Sequence, residues 1–410
     1  MAAGIAFITV FTRQTGTPKA RTMWAEDGYV FLGCHTRGES PLDCLGEAYG
    51  GYLHVGPRLG AMLAWLAPPD VWSVAVTVAA AVLLAGAAWF VAASITAATR
   101  SPLAGLAAGV ALALPYEAGL EVAGNLANGH WILLVAMIVV VIAAWLGQAP
   151  GRRALAFVSI AALSSSLTPI PAVLAGVGWL ARRPGCSWLF GLTAAGSIVQ
   201  AGVTLTLPRD PPLHAPIGLT DALRAFADKV VLAGPYGPHG WLPAWATSTL
   251  LAVIGALALA AWLRRRSAVP IVALAALVGA GLVAYVTSVI VNRWAGARYE
   301  YVPTVLVIEA TIVGAALVGP TLAGGASAGR ALLARAPLVV AAAVIAVGAA
   351  TSYRLESRTS AGPDYQAEFA AAVEACVAGG PSVRVPISPR LSDRTWTVEV
   401  PCDRVGAVRE

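Results

Sequence analysis

The sequence predicts an all-α polytopic membrane protein, and three observations carry that prediction. Hydrophobic residues make up 58% of the 410-residue chain and charged residues only 12%, against roughly 45–50% and about 25% in soluble globular domains. The apolar residues fall in runs long enough to cross a bilayer. The charges fall in the connections between those runs, with a strict asymmetry of sign. A soluble multidomain chain, a fibrous or disordered chain and a small disulfide scaffold are all excluded. The net charge of +6 is spread over many short connections, which is not how a nucleic-acid-binding patch is built.

A bilayer core takes roughly 20 apolar residues per helix. Runs of that kind occupy 71–94, 131–147, 187–207, 244–263, 268–291, 303–322 and 336–352, with shorter ones at 102–115, 153–166 and 169–181. The opening run Gly4–Phe11 is too short to cross alone, and Arg13, Lys19 and Arg21 follow it. The expectation is a first helix clipped by a late start. The connections 95–101, 148–153, 182–186, 264–267 and 323–335 hold ten arginines, among them Arg100, Arg153, Arg183, Arg265 and Arg330, and none of the 21 acidic residues. The positive-inside rule puts these five connections in the cytoplasm. The parity holds when 153–166 and 169–181 are two legs of a hairpin, broken by Pro169 and Pro171. The count is then about 11 transmembrane segments in residues 1–352. The N-terminus is cytoplasmic, the first loop 12–70 faces outward, and the tail 353–410 is a small extracytoplasmic cap.

Cysteine placement agrees with that topology. Cys34 and Cys44 share the first outer loop, Cys376 and Cys402 share the tail, and Cys186 stands alone at the cytoplasmic side. Two pairs on an oxidising face predict the disulfides Cys34–Cys44 and Cys376–Cys402. The plainer alternative is that they are unpaired small residues.

The first outer loop is too polar to span and too long to be a simple connector, which points to function. It runs through Trp24-Ala25-Glu26-Asp27-Gly28-Tyr29 and Tyr49-Gly50-Gly51-Tyr52-Leu53-His54 to Pro57-Arg58, then into an amphipathic stretch over 59–66 that reads as an interfacial helix. Adjacent carboxylates repel, so one holds its proton more tightly or the pair attracts a cation. Glu26 and Asp27 therefore suit a general base on a hydroxyl, or two oxygen ligands of a divalent metal such as Mg or Mn. The alternative is a turn, with Asp27 as a cap and Gly28 at positive φ.

Four further groups stand out. Glu117 and Glu121, four apart, share a helix face in the second outer loop, followed by Asn128, His130 and Trp131. They suit sugar hydroxyls, while Trp131 also fits an interfacial aromatic belt and His130 a cap. Arg293, Arg298 and Tyr299 lie in an outward connection that has no topogenic need for arginine. Guanidinium grips phosphate through two parallel bonds, so these residues and Arg58 are candidate phosphate partners; a pairing with Glu300 or lipid headgroups is the alternative. Glu309 lies inside an apolar run, where an acid is costly and marks a functional site or a buried hydrogen bond, with Arg298 as one candidate partner. Residues 208–243 contain one helical piece, 220–232, and a Gly/Pro-rich end resembling a lid.

An acidic Trp-Glu-Asp-Gly-type motif (here Trp24, Glu26, Asp27 and Gly28) directly after the first helix, then Tyr52 and Pro57-Arg58 leading into an interfacial helix, resembles the GT-C membrane glycosyltransferases. The resemblance covers roughly residues 1–350 and extends to His130-Trp131 and to Arg298-Tyr299 before the next helix. It implies a bacterial inner-membrane enzyme that uses a polyprenyl-phosphate sugar and inverts the anomeric centre. Asp27 or Glu26 would be the base, Arg58, Arg293, Arg298 and Tyr299 would hold the donor phosphate, and Tyr52, Glu117, Glu121, Asn128 and His130 would bind substrate. The acceptor would be a cell-envelope glycan, lipid or protein, and a metal is compatible without being required. The large C-terminal domain of some relatives has no counterpart here. The chain carries no phosphate-binding glycine loop, no dinucleotide fingerprint, no Ser-His-Asp signature and no zinc spacing. The competing reading is a transporter or flippase of a lipid-linked sugar, which predicts an internal repeat and mid-membrane polar groups; of these, only Glu309 fits.

Overall fold

The computed structural model describes residues 1–116, 118–207, 215–232, 268–322, 356–390 and 395–406, and isolated positions between 338 and 353. The expected spans 244–263 and 336–352 lie wholly or largely outside the described residues, as do Glu117, the arginines at 264–266, 330 and 335, and most of the expected lid. The described chain is mostly helical. Among the described residues four helices are long and apolar enough to cross a membrane, so the protein is a helical membrane protein.

The helices follow the apolar runs. They are α1 (Ala2–Thr12), α2 (Val55–Trp65), α3 (Trp72–Thr99), α4 (Pro102–Ala111), α5 (Gly129–Trp145), α6 (Arg152–Ala162), α7 (Pro169–Leu180), α8 (Cys186–Thr206), α9 (Leu219–Phe226), α10 (Val269–Asn292) and α11 (Ala297–Leu322). The amphipathic stretch expected to begin at residue 59 starts one turn earlier, at Val55. The two legs expected over 153–166 and 169–181 are separate helices, α6 and α7, with Pro169 opening α7 at a position where its missing N–H costs nothing, and both pack against α5 and α8.

All 17 residues of α5 are buried. A helix apolar on every side has no preferred outward face, so it takes the centre, and α3, α7, α10 and α11 pack around it. The small residues of α4 let it lie close against α3. A Cβ on Gly109 would meet the Ala88 carbonyl oxygen at 2.5 Å and the Ala2 side chain at 2.8 Å, and one on Gly105 would collide with Thr96. Glycines four apart put backbone against backbone, the usual means of helix association where lipid offers no hydrophobic drive.

Helix α3 is about 42 Å long at 1.5 Å per residue, more than the roughly 30 Å of hydrocarbon. Its first turns project past the bundle. There Trp72, Val76 and Ala80 enter a second core with Met23, Trp24, Phe31 and Leu32 of the first loop and Tyr365, Phe369, Val385 and Val398 of the tail. The tail, expected only to be a small cap, adds strands to a chain whose fold class reads as all-α. It folds as α12 (Tyr365–Val377), an antiparallel hairpin of β1 (Ser382–Arg390) and β2 (Thr395–Pro401), and α13 (Cys402–Gly406). Alternate hairpin residues Val383, Val385 and Ile387 are buried, the period-two pattern of a strand covered on one face. Both expected disulfides are formed, Cys34–Cys44 and Cys376–Cys402, and Cys186 is free and buried.

The tail is built into the first loop rather than set apart from it. The Ser388 amide donates to the Met23 carbonyl (2.8 Å), and the Thr17 amide to the Ser360 carbonyl (2.9 Å). The Tyr365 hydroxyl donates to the Pro69 carbonyl (2.8 Å). Arg21 pairs with Asp364 at 2.7 Å. Arg404 lies 4.0 Å over the Trp65 ring and donates to the Trp65 carbonyl at 2.9 Å.

Gly109→Val forces α3 and α4 apart and is expected to cost about 1–3 kcal/mol, read as a lower unfolding temperature in detergent. Gly86→Ala is the control: a Cβ there meets nothing within 4 Å, so no loss is expected.

Candidate active site at the loop end of the bundle

Four separate segments meet at one end of the bundle: the first loop, the 112–128 connection, the 293–297 connection with the start of α11, and the tail. The first acidic pair divides into two unlike groups. Asp27 is fully buried. Its Oδ1 accepts the Ala127 amide at 2.8 Å and its Oδ2 the Leu126 amide at 3.1 Å. Burial pushes its pKa up to about 7, against the pull of those two amides and of the Lys19 charge. The same burial pushes Lys19 down to about 8, with Asp27 opposing the shift. Each Asp27 oxygen thus takes one backbone amide, which answers half of the carboxylate's roughly four lone-pair sites. The residues neither require nor exclude a divalent metal, and no step through a metal is derived. Cys34, Glu39 and Cys44 also bring ligand atoms within 4.8 Å of one another, but both sulfurs are spent in the disulfide.

Neither turn feature expected at this motif is present. Asp27 opens a wide π-type helical turn, Asp27–Leu32, and receives amides from a different loop. Gly28 has ordinary helical φ; it is small because a Cβ would meet Ile387 at 2.6 Å and Met23 at 2.8 Å. It is one of the points where tail and loop touch.

Glu26 is half-buried, and its Oε2 has no hydrogen-bond partner among the described residues. Burial raises its pKa above the usual 4.5. Its own amide, the Arg298 charge and the Trp24 indole pull the other way, and the Glu121 charge adds to the rise. Glu26 thus shares one electrostatic neighbourhood with Arg298 and Glu121.

The turn that receives Asp27 is wound by two asparagines. Asn125 and Asn128 both donate side-chain N–H groups to the Glu121 carbonyl (2.5 and 3.1 Å), and the Asn128 amide donates to Asn125 Oδ1 at 2.8 Å. Asn128 is therefore spent on shaping this turn. His130 Nδ1 lies 2.8 Å from the Ala127 carbonyl and Nε2 lies 3.2 Å from the Tyr52 hydroxyl. Rings continue in both directions. Tyr52 packs on His54 (4.1 Å) and His130 on Trp131 (4.5 Å), Trp131 meets Tyr299 edge-on (5.6 Å), and Tyr299 meets Trp294 (5.9 Å). Burial holds the His54 pKa well below 6.5, with the charges of His130 and Arg58 adding to the shift, so this ring is neutral near pH 7. The Trp131 indole N–H is buried with no partner among the described residues.

The arginines separate. Arg58 is buried, 3.0 Å from Glu47 and 5.1 Å over the Phe31 ring, which makes it a strut of the first loop. Arg293 ends α10 in a left-handed conformation, φ 54°. Arg298 stands over the Trp294 and Tyr299 rings at 5.5 and 5.3 Å, with Nη1 3.6 Å from Glu121 Oε1. The pairings expected for Arg298 with Glu300 or Glu309 are replaced: Glu300 pairs with Lys229 at 3.0 Å. Glu309 is fully buried in α11, and both its oxygens lack partners among the described residues.

The structure thus brings together Glu26, Glu121, His130, Tyr52, Arg298 and Tyr299, while Arg58 is paired with Glu47 and reaches this group only through its charge on His54. Two contributors escaped the sequence reading. Lys19 offers only its rarity as a signal. Arg358, in a polar tail, offers none, because its partners lie far away in sequence. A scan against protein-family models finds no match for this chain, and a search of curated proteins finds none either.

Asp27→Asn replaces one acceptor oxygen by an amide that faces another N–H. The expected loss is about 1–3 kcal/mol for the buried donor left unpaired. It should be seen as a lower unfolding temperature and faster hydrogen exchange at Leu126 and Ala127. Glu26→Gln leaves no such donor and should unfold like the parent; equal losses in both variants would contradict the division of roles.

Proposed function

We propose that this protein is a multi-pass membrane glycosyltransferase of the GT-C kind. It would move a sugar from a polyprenyl-phosphate donor to a cell-envelope acceptor at the outer face of a bacterial inner membrane. The observation that carries the reading is a carboxylate with a spare oxygen, Glu26, within the field of Arg298, beside an aromatic wall of Tyr52, His130, Trp131, Tyr299 and Trp294. Carboxylates and ring faces suit sugar hydroxyls and C–H faces, and an arginine with a free edge suits a phosphate leaving group.

In this mechanism Glu26 takes the proton from the acceptor hydroxyl. The freed oxygen attacks the anomeric carbon from the face opposite the phosphate. The carbon–oxygen bond to phosphate breaks as the new bond forms, and its electron pair leaves on the phosphate beside Arg298. The products are an inverted glycoside and polyprenyl phosphate. Asp27 supports this chemistry by fixing the loop that carries Glu26 and does not serve as the base.

The topology that goes with this reading has about eleven membrane segments, a cytoplasmic N-terminus and an outward tail. It rests on the separation of arginines from acids among the connections. A second reading, a carrier of lipid-linked sugars, draws on Glu309, whose buried unpartnered carboxyl suits a proton or cation site within the bundle.

Two measurements test the proposal. Glu26→Gln should lower transfer from a polyprenyl-phosphate sugar by about 10²–10⁴-fold at matched expression. Because the base works ionised, the parent's rate should fall as pH drops through the raised Glu26 pKa, and that limb should vanish in the variant. Unchanged turnover in Glu26→Gln, with transport lost in Glu309→Gln, would favour the carrier. For topology, single cysteines replacing the exposed residues Ser40 and Ala370 should react with an impermeant thiol reagent in intact cells, and one replacing Arg152 only after permeabilisation. The reverse pattern would invert the arrangement.

A further inference from the structure

Arg358 is carried to the site by the tail. The turn around it is fixed on every side. Its own amide donates to the Leu120 carbonyl (3.3 Å) and the Thr17 amide to the Ser360 carbonyl (2.9 Å). The Ser357 and Thr359 hydroxyls donate to Gln14 Oε1 (2.7 and 2.6 Å), and Lys19 Nζ donates to Thr359 Oγ1 (3.3 Å). The guanidinium lies 5.4 Å over the Trp294 ring, the same ring that Arg298 faces at 5.5 Å. Its Nη1 is 3.3 Å from Glu121 Oε1, the same oxygen that Arg298 approaches at 3.6 Å.

Two guanidinium groups, one from the start of α11 and one from the tail, thus share one aromatic plate and one carboxylate oxygen. The count is unbalanced. Each guanidinium has five N–H donors. Beyond the shared oxygen, the side-chain bond of Arg298 is a long one to the Tyr299 hydroxyl (3.4 Å), and Glu121 Oε2 is buried without a partner among the described residues. The Glu121 side chain is fully buried, while those of Arg298 and Arg358 are 27% and 44% exposed. Two positive forks therefore open to solvent, with the Glu121 carboxylate behind them and the charge of Glu26 acting on Arg298. Glu121 offers the pair one oxygen and is poorly placed for either fork.

We infer that Arg298 and Arg358 form a two-guanidinium site for a phosphate group, in which the carboxylate of Glu121 partly fills the anion's place until the ligand arrives. A phosphate monoester or diester supplies the oxygens that both forks lack, and its charge relieves their mutual repulsion. The inference extends the sugar-transfer reading by making the C-terminal cap part of the donor site, and anion binding is measurable apart from transfer.

The test uses the full chain in phosphatidylcholine nanodiscs, which carry no anionic lipid. Geranyl phosphate and inorganic phosphate are the probes, and binding is followed by phosphorus NMR line broadening. Geranyl phosphate should bind saturably. Arg358→Gln and Arg298→Gln should each weaken it by about tenfold or more, as expected for the loss of charge-assisted bonds. Arg358→Lys, which keeps the charge without the planar fork, should fall between. Glu121→Gln should tighten binding, a response that a purely structural Glu121 would not give. Competition by inorganic phosphate with the same arginine dependence would identify a free-anion site, and dependence with geranyl phosphate alone a lipid headgroup; either upholds the pair. Parental binding in Arg358→Gln, or in Arg358→Lys together with Glu121→Gln should the first not fold, overturns the inference. Binding with no sugar transfer from any donor would sink the enzymatic reading and leave the site standing. Transfer that ignores Arg358 would do the reverse.

Discussion

A carboxylate cut off from water must have its lone pairs answered by the protein, and Asp27 answers them with the backbone of another loop. The amides of Leu126 and Ala127 are fixed by that contact, and much else is fixed in turn. The turn that presents them is the one Asn125 and Asn128 wind onto the Glu121 carbonyl. The Ala127 carbonyl faces His130, and His130 faces Tyr52. Moving Asp27 would therefore shift Glu121 relative to the arginines and the aromatic wall relative to both. Burial of a charge is usually costly; here it sets the register between two loops that share no secondary structure.

The bundle supplies the other fixed reference. With α5 buried on all sides, the helices around it are located by what packs on it, and α11 is placed against α5 and α4. The Tyr301 hydroxyl reaches back to the Leu112 carbonyl at 2.8 Å. That bond joins the first turns of α11, which carry Arg298 and follow Trp294, to the end of α4. The polar groups at the loop end thus stand on helix ends whose positions are set by small residues and apolar packing.

The sequence made the membrane helices legible because hydropathy over twenty residues is a strong signal and the break at Pro169 a local one. Cys34–Cys44 and Cys376–Cys402 were readable because each pair shares a loop. The hairpin Ser382–Pro401 is harder to see, because Val383, Val385 and Ile387 alternate with Arg384 and Pro386 over a short stretch that a proline interrupts. The site was half readable. Glu26, Asp27, Glu121, His130 and Arg298 stood out as polar residues beside apolar runs, but nothing local separates Asp27 from its neighbour: the difference is made by two amides a hundred residues away. Arg58 looked like Arg298 in sequence and was set apart by Glu47 and Phe31. Arg358 belongs to the site only because a turn at the end of the chain is tied to Gln14 and Lys19 at its beginning.

The shared core of the first loop and the tail has a consequence for how the molecule is made. A ribosome delivers Trp24, Phe31 and Leu32 more than three hundred residues before Val385 and Val398, the partners that cover them. Throughout synthesis of the bundle, the loop waits with that apolar surface uncovered. The Cys34–Cys44 bond, closing a segment of ten residues, is the one cross-link the loop can form from its own sequence in that interval. The loop's core closes only when β1 and β2 dock beside Gly28. A chain stopped short of residue 380 would have its helices and its acidic motif but would leave Trp24, Phe31 and Leu32 without Val385 and Val398.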